Sequence, residues 1–142
     1  MNFSNKEKTD IIMKHYSSPI NKVEEIETNS KSIYRHSASC VDEINLNLKI
    51  ENDFLVDAKF QGVGCAVFLS SADIFLEEIK NKPLSKVNEI ANAYFDLINK
   101  KESNNLKIGK LAIFENVKIH LNRLECASLI YQAYNDFLEK HK

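Results

Sequence analysis

The chain has 142 residues, 44% of them apolar and 27% charged, with a formal net charge of −1. That length suits one domain with a real core, and the composition is that of a globular chain rather than a disordered one. The near-zero charge argues against a nucleic-acid or membrane-surface protein, and no apolar run approaches the roughly 20 residues of a membrane span. Residues 1–10 hold no apolar signal region, so the chain reads as one domain over residues 1–142, cytoplasmic, where thiols stay reduced. The three cysteines are an odd number, which disfavours a disulfide framework and points to metal binding or catalysis.

In chain order, Ser4-Asn5-Lys6-Glu7 has the form of a capping box and starts a helix carrying Ile11, Ile12, Met13 and Tyr16, which Pro19 ends. Residues 20–32 are polar and read as loop. Ile44, Leu46, Leu48 and Ile50 alternate with polar neighbours, a half-buried strand. Asn52-Asp53 is a turn, and Phe54, Val56, Ala58 and Phe60 form the inward face of a second strand. Ser30 to Ser37, with Ile33 and Tyr34, supplies a third.

Helical spacing dominates afterwards. A helix is expected over Ala66 to Lys80, and another, capped by Ser85, has Val87, Ile90, Ala91, Tyr94, Phe95 and Ile98 on its inner face. Asn99 to Asn105 is a polar break, and residues 106–120 fit helix, strand or irregular chain equally. A last amphipathic helix runs from Ala127 through Leu129, Ile130, Ala133, Tyr134, Phe137 and Leu138. The expected fold class is therefore α+β, a three-stranded antiparallel sheet packed with about five helices.

Cys65 follows Gly62-Val63-Gly64 and immediately precedes a helix, and Cys126 is expected to precede the last one. Free N–H groups and the positive dipole end stabilise a thiolate at such positions. Cys40 and Asp42 stand ahead of the first hairpin strand, and residues two apart share a side of an extended chain. The start of one hairpin strand lies near the end of its partner, so Cys40, Asp42 and Cys65 should meet at one end of the sheet. Three thiolates and a carboxylate suit a tetrahedral zinc shell or an iron–sulfur cluster; three unrelated buried cysteines are the plainer alternative. Spacings of 25 and 61 residues match no local zinc motif.

His15-Tyr16-Ser17-Ser18-Pro19-Ile20-Asn21 resembles H-Y-x-N-P-x-N, the opening motif of iron–sulfur cluster assembly scaffolds of the IscU/NifU N-terminal family. Cys40-Val41-Asp42 resembles their C-G-D, Gly62-Val63-Gly64-Cys65 with Ser70-Ser71-Ala72 their G-x-G-C…S-x-S-S, and Arg123-Leu124-Glu125-Cys126-Ala127 the segment bearing the last cysteine. The resemblance covers nearly the whole chain. Glu125 stands where the IscU type has a histidine, and the gap between the second and third cysteines carries extra sequence around residues 85–110; both features resemble the SufU type. Val41, Ser18 and Ala66 depart from the family's Gly, Asn and Ser, and none of these changes removes a ligand.

The resemblance implies zinc held by Cys40, Asp42, Cys65 and Cys126, and a SufS-type cysteine desulfurase as partner. It implies acceptance of persulfide sulfur, with a desulfurase histidine displacing Cys40 from zinc, and downstream assembly or recipient proteins. The role is that of a sulfur acceptor rather than a stand-alone enzyme. Arg123 is the candidate cation beside a site of formal charge −2. Asp42, a hard ligand among soft ones, is the weak point if iron binds instead. The alternatives are a scaffold that assembles and transfers a [2Fe–2S] cluster, a zinc hydrolase (disfavoured because four ligands close the site) and a metal-free interaction module. His15, His36, His120 and His141 are rival ligands, each expected to be a surface or packing residue.

Overall fold

The computed structural model describes residues 3–38, 41–99, 108–117 and 121–141. Helix α1 (Asn5–Ser17) starts as expected. Ser4 Oγ accepts from the Glu7 N–H at 3.1 Å, and the Glu7 carboxylate accepts from the Ser4 N–H at 2.8 Å. The helix stops two residues before Pro19.

Strands β1 (Ile33–His36), β2 (Glu43–Glu51) and β3 (Phe54–Val63) form an antiparallel meander. The turn between β2 and β3 has Asn52 and Asp53 both at positive φ (53° and 61°), the type I′ geometry that matches strand twist. A fourth strand, β4 (Lys82–Pro83), pairs with the start of β3, so the sheet has four strands in the order β1-β2-β3-β4, not three. Two residues carry too little pattern to read as a strand from sequence.

The inward phase of β3 also differs from expectation. Lys49 pairs with Asp57 but Ile50 pairs with Leu55, so Val56 is an extra residue. Such a bulge shifts the alternation by one. Leu55 is buried and Phe54 exposed, while Ala58 and Phe60 keep the expected phase.

One face of the sheet is covered by helices α2 (Ala66–Ile79) and α4 (Leu121–Lys140). The expected loop 20–32 is not idle: Lys22 makes a parallel bridge to Phe60, and Gln61 and Asn47 side chains donate to the carbonyls of Glu24 and Glu27. Helix α3 (Leu84–Ile98) is capped by Pro83, not Ser85, which falls inside its first turn. Its expected inner residues are buried except Phe95, which is stacked on Tyr131 (ring centroids 4.4 Å apart) and partly exposed. Within the ambiguous stretch 106–120, Gly109–Phe114 forms a 3₁₀ helix that buries Leu111, Ile113 and Phe114. With it the described residues hold four α-helices and one 3₁₀ helix. Most of the polar break expected over residues 99–105 lies outside the described residues. No helix among them is long and apolar enough to cross a membrane.

Helix α2 is the centre of the molecule. Ten consecutive or near-consecutive side chains from Phe68 to Ile79 are buried, and α1, α4 and β3 all pack on it. Its N-terminus opens at the end of the sheet where β2 begins and β3 finishes. That position fixes the site.

Candidate metal centre

Asp42 lies just before β2, at the end of the sheet where Glu43 pairs with Val63. Two residues on from Val63, Cys65 is the N-cap of α2, its sulfur accepting from the Phe68 N–H at 3.5 Å. Hairpin pairing thus delivers Asp42 to the start of the helix, as the sequence suggested. The Asp42 carboxylate is buried; Oδ1 accepts the Cys65 backbone N–H at 3.0 Å, and Oδ2 lies 3.8 Å from Cys65 Sγ. Gly64 permits this approach: a Cβ there would fall 2.7 Å from Asp42 Cγ and 2.8 Å from the Phe68 ring.

Cys126 arrives from α4. Donor atoms of Asp42, Cys65 and Cys126 all lie within 4.8 Å of one another, the distant convergence that spacing alone could not show. Cys126 does not precede the last helix, however. α4 starts at Leu121, five residues earlier, so Cys126 sits inside the helix and has no N-terminal amides to stabilise its thiolate. Burial pushes its thiol upward, and the neighbouring Asp42 and Cys65 add to the shift. Cys65, at the N-terminus of α2, is exposed. The two thiols are therefore different: one open and capped by an amide, one dry.

Cys40 and His120 lie outside the described residues. Arg123 is on the first turn of α4, three residues before Cys126, and is exposed. His36 is exposed at the end of β1 and is not among the converging donors; His141 is exposed and packs on Phe137.

His15 is a packed residue, as expected, and its packing is polar. Its Nδ1 lies 2.6 Å from Oδ2 of Asp73, and both side chains are buried. Asp73 also accepts from the backbone N–H groups of Ile20 and Asn21, at 3.0 and 2.6 Å to Oδ1. The Lys110 ammonium, which only donates, lies 3.4 Å from His15 Nε2, so the network assigns the ring proton to Nδ1. This cluster pins α1, the loop after it and the 3₁₀ helix onto α2. Sequence reasoning missed Asp73, though a signal was present: an acid directly before Ile74-Phe75-Leu76 in a mostly apolar helix must find partners.

The donor set fits a metal. In a tetrahedral site with zinc–sulfur bonds near 2.3 Å and zinc–oxygen bonds near 2.0 Å, ligand atoms stand roughly 3.5–3.8 Å apart. The Asp42 Oδ2–Cys65 Sγ separation of 3.8 Å is slightly longer than the roughly 3.5 Å of an oxygen–sulfur edge in such a site. Two sulfurs and a carboxylate oxygen in a partly dry pocket form a borderline-soft donor set of the kind zinc takes.

A model of the NifU-like N terminal domain matches residues 7–140. The chain belongs to this family. The zinc-dependent sulfurtransferase SufU of Bacillus subtilis is 28% identical over 133 residues, covering 93% of this chain and 89% of that one. The iron–sulfur cluster assembly scaffold protein IscU of Thermotoga maritima is 32% identical over 105 residues, 72% of each chain. Among solved structures, a putative iron–sulfur cluster assembly scaffold protein for the SUF system from Fervidobacterium islandicum superposes with a TM-score of 0.76 at 25% identity, covering 94% of this chain and 93% of that one. In this NifU-like chain the three converging donors are Asp42 and the second and third of its three cysteines.

Proposed function

We propose that this protein is a zinc-dependent acceptor of persulfide sulfur from a SufS-type cysteine desulfurase, serving iron–sulfur cluster assembly in the cytoplasm. The observation that carries the reading is the convergence of Asp42, Cys65 and Cys126 within 4.8 Å. Likeness to a zinc-dependent sulfurtransferase supports it, as does Glu125 in place of a histidine before the last cysteine. Cys40 is taken as the fourth ligand and the sulfur acceptor by motif position, and residues 1–142 as one domain.

Bound zinc would keep the thiolates ionised while restraining them as nucleophiles. The remaining chemistry belongs to the chain. An acceptor thiolate attacks the outer sulfur of the donor's persulfide; one S–S bond forms, the donor's breaks, and the donor leaves as a thiolate, with no net oxidation. Asp42 and Cys65 are held by the amides of α2, so one ligand can leave while the frame persists. Arg123, three residues before Cys126, is taken by motif position as the cation that lowers the cost of the anionic set.

The test is stimulation of desulfurase turnover. The zinc-loaded protein should raise it, and Cys40→Ala should abolish the effect while Arg123→Ala weakens it. Unchanged stimulation by Cys40→Ala would remove the relay role. A second reading, a scaffold that assembles and passes on a [2Fe–2S] cluster, is favoured by likeness to scaffold proteins. Anaerobic reconstitution followed by transfer to an apo-ferredoxin separates the two.

A further inference from the structure

We infer that Gly64 is a positioning residue that makes Asp42 a ligand through one oxygen only. The inference rests on the metal-centre reading above. Oδ1 of Asp42 is occupied by the Cys65 backbone N–H at 3.0 Å, which leaves Oδ2 as the oxygen facing the sulfurs. That hydrogen bond requires the carboxylate to lie against the backbone at residue 64. A methyl group at this position would be 2.7 Å from the carboxylate carbon. The wall on the other side cannot give way easily: Phe68 is fully buried, edge-on to Phe60 at 6.4 Å, and 3.1 Å from where a Cβ on Gly62 would be. The carboxylate is therefore the group that must move. The glycine serves here by its missing Cβ and by its φ of 159°, which L side chains rarely adopt, and through Asp42 it keeps the set at four donors. A carboxylate freed from the amide could turn and offer both oxygens, or leave the metal to water.

Cobalt(II) binding to the purified full chain tests this, because its visible absorption reports both sulfur ligation and coordination number; zinc competition then gives affinities. Gly64→Ala should weaken zinc about 10- to 100-fold, the range for loss of a group that orients a ligand. Its cobalt spectrum should depart from the wild type's, matching Asp42→Ala where the carboxylate leaves or showing the weaker visible absorption of five-coordinate cobalt where both oxygens bind, and it should add little further loss when placed in the Asp42→Ala background. The inference is overturned if Gly64→Ala keeps the wild-type spectrum and affinity, or costs as much without the carboxylate as with it. It is also overturned if the alanine prevents folding in both backgrounds, since the glycine would then serve the strand end alone. Folding only when Asp42 is removed supports it. Absence of stoichiometric cobalt–thiolate absorption in the wild type would sink the metal-centre reading itself, before any variant is compared.

Discussion

His15 Nδ1 and Asp73 Oδ2 are 2.6 Å apart, and both side chains are buried. The pair joins the C-terminal end of α1 to the middle of α2, and the second Asp73 oxygen closes the loop at Ile20 and Asn21. Removing the acid leaves three donors, those of His15 and Asn21 buried, without their acceptor. Asp73→Ala should cost about 3–5 kcal/mol in urea unfolding, the range for breaking one side of a buried pair. A loss below about 1 kcal/mol would show that water or a rearranged loop satisfies these groups.

The two described thiols should react unequally once metal is removed. Cys65 is exposed at a helix N-terminus, and Cys126 is buried with its thiol pushed up by burial and by its two neighbours. Under limiting iodoacetamide, peptide mass mapping should find Cys65 modified at least about tenfold faster, since only the thiolate attacks. Equal rates would mean that the pocket opens when the metal leaves. Metal-loaded protein should protect both.

Much of this could be read from the chain, and the misses have physical causes. The β2–β3 hairpin announces itself because one face is dry and one wet, so apolar residues fall every second place. The bulge at Val56 leaves no such mark; Phe54 and Val56 look as buriable as Leu55, and only strand pairing decides. Cys65 was placed correctly because glycine, cysteine and an apolar run announce a strand end and a helix start. Cys126 was misplaced because Leu124 is the lone apolar residue among Asn122, Arg123 and Glu125, too little periodicity to read as a helical turn. Cys40, the proposed ligand on which the motif leans most, lies outside the described residues. Asp73 was legible only as a contradiction, an acid in a mostly apolar helix.

The ion pair between Arg35 on β1 and Asp136 on α4 should matter far less than its geometry suggests. One guanidinium nitrogen reaches both carboxylate oxygens, at 3.0 and 2.8 Å, but both side chains are more than a third exposed. Arg35→Met should cost below about 1 kcal/mol and leave zinc binding unchanged. A loss of several kcal/mol would mark the pair as a main tie between sheet and helix.

Metal should stabilise the fold because its proposed ligands come from just before β2, the start of α2 and the interior of α4. At free zinc 100-fold above the dissociation constant, the gain is about 2.7 kcal/mol. Chelation should lower the unfolding midpoint of the wild type, and Cys65→Ser should make the midpoint insensitive to zinc. A chelator effect that persists undiminished in Cys65→Ser would place the metal elsewhere.

The most direct measurement is X-ray absorption at the zinc edge on the purified protein, alongside metal content per chain. One zinc per chain with three sulfurs and one oxygen is expected, falling to two sulfurs in Cys126→Ser. Protein that takes up no zinc, or whose zinc keeps the same sulfur count in Cys126→Ser, would contradict a centre built on Asp42, Cys65 and Cys126.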